Sequence, residues 1–206
     1  MFITAIILAA GSSSRLGSCK QLLPLEGRPL IRQVTETILK TKVQQVIVVV
    51  GCQAERVAEA VRDLPVTIVV NQEYVKGQSS SLLAGLQAWS GLKSGEDAES
   101  ELRRGFLFVL GDQPLVQSKT IDLLIDRFQQ TADIILPYYE GQRGNPVLMG
   151  EEYLPELLAL TGDTGAREII CRYPDRLVRA DVTDPGVCLD IDTWEDYLNL
   201  TGGTKR

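Results

Sequence analysis

Six short apolar runs constrain this chain more than anything else in it: Ala5 to Leu8, Val46 to Val50, Val66 to Val70, Phe106 to Leu110, Ile134 to Pro137 and Leu177 to Ala180. Each is strand-length, rich in Val and Ile and almost free of polar interruption. That is the pattern of strands covered on both faces. Helical spacing lies between them. Leu30, Val34 and Ile38 fall on one face over 29–39, and 53–63, 80–89 and 119–130 follow the same logic. Alternation of strand and helix predicts an α/β fold: one Rossmann-like domain over 1–200 with a doubly wound, mostly parallel (mixed) sheet. The polar stretch 90–105 reads as a surface loop and 201–206 as a flexible tail.

Ligands of such sheets bind outside the carboxyl ends of the strands. The first strand runs into Leu8-Ala9-Ala10-Gly11-Ser12-Ser13-Ser14-Arg15-Leu16-Gly17-Ser18-Cys19-Lys20. Small residues let this backbone approach a ligand. Its N–H groups, with the cations Arg15 and Lys20, are what a polyphosphate requires. Neither common phosphate loop is present: Lys20 is followed by Gln21, and Gly11 and Gly17 stand too far apart.

Acidic residues sit at two further places. Asp112, after Gly111, ends an apolar run; such an aspartate is often a turn or cap residue. Facing a triphosphate, it is also a natural Mg²⁺ ligand, since Mg²⁺ takes one or two carboxylates plus phosphate oxygens. Asp190 and Asp192 flank Ile191, and alternate residues of an extended segment share a face. Thr193 to Asp196 reads as a helix start. Asp190 is therefore expected as the second metal ligand, and Asp192 as a helix cap or a group standing behind the ligands.

Composition removes several classes. There is no histidine, so Ser-His-Asp and Cys-His catalysis and His-ligated metals are excluded. A net charge of −6 opposes non-specific nucleic-acid binding. Four scattered cysteines without a C-x-x-C pair suit a reducing, cytoplasmic setting. No run is long enough to span a membrane.

The first loop extends to LAAG-x-S-x-R-x-G-x-x-K-x-L-x-P-x-x-G-x-P-L. This resembles the signature of nucleotidyltransferases that join a nucleoside monophosphate to a small phosphorylated acceptor. Within the MobA-like NTP transferase superfamily it looks most like the molybdenum cofactor cytidylyltransferases. The likeness continues through Gly77-Gln78-Ser79-Ser80-Ser81-Leu82, Leu110 to Pro114, Arg143 to Val147, Gly162 to Arg167 and Asp190 to Thr193. The resemblance implies a Mg²⁺-dependent transfer of CMP from CTP to the phosphate of molybdopterin, with pyrophosphate released. It places Arg15 and Lys20 on the triphosphate, with Lys20, Arg15 and Asp112 in catalysis and Asp112 also against the nucleotide. The nucleotide would meet Leu8, Ala9, Ala10, Gly11, Asn71, Gln78, Ser81 and Gly111. Gly144, Asn145, Asp163 and Asp192 would border the acceptor. Ala10 favours cytidine, because guanylyl relatives tend to carry Gly there. Two positions depart from the pattern: Asn145 stands where Gly-His-Pro is expected, and Cys19 where a proline is usual. GTP on the same cofactor, CTP on a polyol or sugar phosphate, and a non-catalytic cofactor carrier are the alternatives. A molybdenum hydroxylase or its chaperone is the implied partner.

Overall fold

The computed structural model describes residues 1–12, 16–91, 102–131 and 133–202. Strand β1 (Phe2–Ala9) is an inner strand of the sheet, between the parallel strands β4 (Gln45–Val50) and β6 (Arg104–Leu110). The order across the sheet is β10 (Leu177–Asp181), β7 (Ile134–Tyr139), β9 (Val147–Gly150), β6, β1, β4 and β5 (Thr67–Val70), with the short β8 (Gln142–Arg143) on β7. All pairings are parallel except those of β9 and β8. The doubly wound mixed sheet is the one that the strand–helix alternation predicts. The six apolar runs are β1, β4, β5, β6, β7 and β10. The sheet strands that carry no such signal are the two-residue β8 and β9, the latter four residues that enter antiparallel between β6 and β7.

Side chains of β1 alternate between two cores, as a strand requires. Ile3, Ala5, Ile7 and Ala9 join Ile31, Val34 and Ile38 of α1 (Leu30–Leu39), Val57 of α2 (Ala54–Glu59) and Leu124 and Phe128 of α4 (Ser118–Thr131). Ile6 faces the other way, with Leu82, Leu86 and Trp89 of α3 (Gln78–Gly91), Leu157 of α5 (Leu154–Leu158) and Ile169 of α6 (Arg167–Arg172). Each fully buried side chain of this kind contributes about 1.5–3 kcal/mol, so both faces must be covered and the sheet is a middle layer.

A hairpin, β2 (Pro24–Leu25) and β3 (Arg28–Pro29), turns through Glu26 and Gly27, both left-handed at φ 52° and 77°. It leads into α1. The final helix, α7 (Trp194–Thr201), packs on this corner: Tyr197 and Leu200 contact Leu16, Leu23, Leu25, Leu30 and Ile191. Several boundaries differ from expectation. Helix α3 runs on through Gly91 and β6 begins at Arg104, so both ends of the expected 90–105 loop are regular structure. The loop's middle, 92–101, lies outside the described residues. Thr201 ends α7 and Gly202 is its left-handed cap, which moves any tail to 203–206, also outside them. Helix α2 stops at Glu59, short of the expected Asp63.

Candidate nucleotide site

The carboxyl ends of β1 and β6 open into one cleft of about 720 Å³, the size of a small-ligand site. Its lining includes Leu8, Ala10, Gly11, Lys20, Gln78, Ser81, Asp112, Asp163 and Asp192, which are distant in sequence and are brought together by the sheet.

One end is charged. Lys20 Nζ lies 2.9 Å from Asp192 Oδ1 and also pairs with Asp112 Oδ2. The Lys20 and Asp112 side chains are only 14% and 13% exposed, whereas Asp192 is 46% exposed. Burial pulls the Lys20 ammonium down, but the Asp112 and Asp192 carboxylates outweigh it and its pKa stands above the ordinary lysine value. Burial pushes the Asp112 carboxyl up against the opposing effect of Lys20, and the charge of Asp190 adds to that rise.

The two C-terminal aspartates are placed otherwise than the sequence suggests. Asp192 is not the cap of α7. Thr193 is: its hydroxyl accepts from Asp196 N at 3.2 Å, and the Asp196 carboxylate accepts from Thr193 N at 2.7 Å, completing a capping box. That frees Asp192, one residue earlier, to face Lys20. Asp190 is exposed and is felt at Asp112 through its charge.

Among the described residues no three carboxylate, cysteine or histidine groups converge as a complete metal cage. Two carboxylates already share one cation here, and they are hard oxygen donors. That donor set fits a divalent ion such as Mg²⁺ or Mn²⁺, which completes its shell with phosphate oxygens and water.

The other end is built mainly from neutral groups, with Lys76 paired to Glu73. Asn71 Nδ2 donates to Ser80 Oγ at 2.9 Å and Ser81 Oγ at 3.0 Å, while its Oδ1 accepts from Glu73 N at 2.9 Å. It is buried and does not line the cleft; it stands behind Ser81, which does. Asp163, expected at the acceptor, caps α3 across the fold, its Oδ1 accepting from Gln78 N at 3.0 Å. Gly162 O accepts from Ser79 N at 3.2 Å. This docking needs Gly77: its φ is 106°, and a Cβ there would meet Gly162 O at 2.6 Å.

Other expected residues fall outside the cleft lining. Ala9 turns into the core by strand alternation. Gly111 N donates to Leu8 O at 3.0 Å and ties the β6 turn to β1. Gly144 and Asn145 bond through their N–H groups to Pro137 O and Val187 O, at 2.9 and 2.8 Å. Arg15 lies outside the described residues. The sequence reading missed Gln21, which is 2% exposed, lines the cleft and donates to Gly11 O at 3.3 Å. It also missed the wall Tyr74–Lys76. A glutamine next to Lys20 and a lysine just before Gly77-Gln78 were the available signals.

The MobA-like NTP transferase domain family matches this chain over residues 5–177. Nicotine blue oxidoreductase of Paenarthrobacter nicotinovorans is 31% identical, the match covering 96% of each chain. The molybdenum cofactor cytidylyltransferase of Escherichia coli K12 is 27% identical, over 95% of this chain and 94% of that one. A manganese complex of Rv0371c from Mycobacterium tuberculosis H37Rv superimposes with a TM-score of 0.76 at 27% identity, covering 99% of this chain and 100% of that one.

Proposed function

Because this chain belongs to the MobA-like NTP transferase family and is a nucleotidyltransferase, we propose that it transfers CMP from CTP to the phosphate of a molybdopterin-type cofactor, with release of pyrophosphate. The observation that carries this reading is the Lys20 ammonium held between Asp112 and Asp192 at one end of a nucleotide-sized cleft. The cytidylyltransferase relative supports the choice of nucleotide and acceptor. So does Ala10, which lines the cleft, by its resemblance to cytidylyl relatives. The 31% identical relative carries the name of a redox enzyme. A divalent ion held by the paired carboxylates beside an ammonium would serve phosphate oxygens, which favours the transferase reading.

In the transfer, an oxygen of the acceptor phosphate bonds to the α-phosphorus of CTP. The bond from that phosphorus to the β-phosphate bridging oxygen breaks, and its electron pair leaves with pyrophosphate. A phosphate monoester is already largely ionised near neutral pH, so no general base is required. That agrees with a chain without histidine. Lys20 sets a positive charge beside the α-phosphate, where negative charge develops. Arg15 adds a second cation to the triphosphate. Asp112 and Asp192 would hold Mg²⁺, with Asp190 adding field. When bound, the metal neutralises phosphate oxygens and fixes their orientation. Gln78 and Ser81 read the base and ribose. The product cofactor would pass to a molybdenum hydroxylase or its chaperone.

Two measurements test this. CTP with Mg²⁺ should raise the melting temperature more than GTP or ATP; a ligand at 100 times its Kd adds about 2.7 kcal/mol. Pyrophosphate should appear only when the molybdopterin acceptor is also present. A larger shift with GTP would replace the nucleotide. A CTP shift without pyrophosphate release would leave a cofactor carrier.

A further inference from the structure

One buried carboxylate lies between the two acidic segments and has no part in the transfer described above. Asp184 is 1% exposed. Its Oδ2 accepts from Gln117 N at 2.8 Å and Thr120 Oγ1 at 2.7 Å. Its Oδ1 accepts from Gly186 N at 3.0 Å and Gln117 Nε2 at 3.3 Å. An ionised carboxylate is an acceptor with about four lone-pair positions, and all are met.

These donors come from two sides. Gln117 and Thr120 belong to the entry into α4, which follows directly from the Asp112 turn. Gly186 belongs to the turn Pro185–Cys188, which leads into Asp190 and Asp192. The two backbones touch: a Cβ on Gly186 would lie 2.4 Å from Leu115 O. Further along, Ile191 N donates to Asp112 O at 3.2 Å, and Asn145 N donates to Val187 O in the same turn. Helix α4 keeps its own apolar anchor through Ile121, Leu124, Ile125 and Phe128. Asp184 is therefore not what holds α4 on the sheet. What it adds is the register between the Asp112 turn and the Asp190–Asp192 segment.

We propose that Asp184 is a positioning residue that aligns Asp112 with Asp192 so that both carboxylates meet one cation. This rests on the metal reading above. Asparagine at this position keeps the shape but turns one acceptor oxygen into a donor, which faces either the α4 entry or Gly186 N.

The test is Mn²⁺ binding by electron paramagnetic resonance to the full chain with CTP and no acceptor, so that no turnover is involved. Asp184→Asn should weaken Mn²⁺ by about 10-fold, the lower end of what supporting residues of a metal site contribute. Thr120→Val, which removes one bond, should weaken it by a smaller factor. CTP affinity without metal should be unchanged in both. If Asp184→Asn does not fold, Thr120→Val and Gln117→Ala carry the test. Ile38→Val, in the core on α1, controls for lost stability alone. Unchanged Mn²⁺ affinity in these variants overturns the inference, as does a loss matched by Ile38→Val. If the wild-type protein with CTP fails to take Mn²⁺, the metal reading falls, and this inference with it.

Discussion

The two ends of the cleft are built from different chemistry. At one end a largely buried ammonium sits between carboxylates, with a further charge at Asp190. At the other, neutral amides and hydroxyls are tied to one another, the Asp163 carboxylate is spent on a backbone N–H, and Lys76 is paired with Glu73. Charges shielded from water interact strongly, while a neutral hydrogen bond exchanged with water is worth about 1 kcal/mol. The charged end is therefore suited to developing charge, and the neutral end to reading shape and donor pattern. Substitutions should divide accordingly: large losses in kcat at one end and modest rises in KM at the other.

The largest effect is expected at Asp112. Asp112→Asn removes the most buried carboxylate of the charged end and should lower kcat by about 10³-fold or more, several kcal/mol of transition-state stabilisation. Its circular dichroism spectrum should match the wild type. A kcat within about 10-fold of wild type would detach the carboxylate from the chemistry.

Lys20→Ala follows. An ammonium that acts as charge develops should cost about 10²–10³ in kcat, with KM for CTP little changed. If steady-state kinetics show the reverse, a raised KM and an unchanged kcat, Lys20 anchors the β- and γ-phosphates and the two ends differ less than their charges suggest.

The third comparison lies within the charged end. Asp192→Asn should lower kcat more than Asp190→Asn, because Asp192 shares Lys20 with Asp112 and Asp190 contributes only a field screened by solvent. Kinetics of both variants at one Mg²⁺ concentration decide it. The opposite order would return Asp190 to the metal.

At the neutral end, Gln78→Ala should raise KM for CTP by about 10-fold, the equivalent of 1.4 kcal/mol for one ligand contact, with kcat kept. A loss confined to kcat would show that the neutral wall takes part in the transfer step.

The smallest effect is structural. Thr193→Ala breaks the capping box and should cost about 1 kcal/mol in denaturant unfolding. The Asp196 carboxyl is held below its ordinary value, chiefly by its bond from Thr193. A depressed carboxylate contributes stability above its unfolded pKa of about 3.9 and loses it as pH falls through the folded value. The stability difference between wild type and Thr193→Ala should therefore shrink below about pH 4. A difference that stays constant down to acid pH would mean that the box does not hold α7.

How much of this was legible in the chain depends on the reach of each interaction. Apolar runs and helical spacing are local, so β1, β4, β5, β6, β7, β10 and the main helices could be read directly. So could the small-residue loop with Lys20 and the strand-end Asp112, because each is a pattern within a few residues. Strand β9 was not legible. Val147 to Gly150 is short, has one β-branched residue, and gains its place by pairing with β6 and β7. The cap at Thr193, and with it the release of Asp192, turned on a choice between neighbours that propensity does not resolve. Asp163 meets Gln78 across 85 residues, and Lys20 meets Asp192 across 172. The sequence by itself determined the layers, the small-residue loop with its lysine and the kinds of groups at the strand ends. The tertiary structure alone decided which aspartate faces the ammonium, which one caps a helix and which is buried as a brace. A carboxylate looks the same in every sequence; its role depends on its distance to donors and to water, and only the folded chain sets those distances.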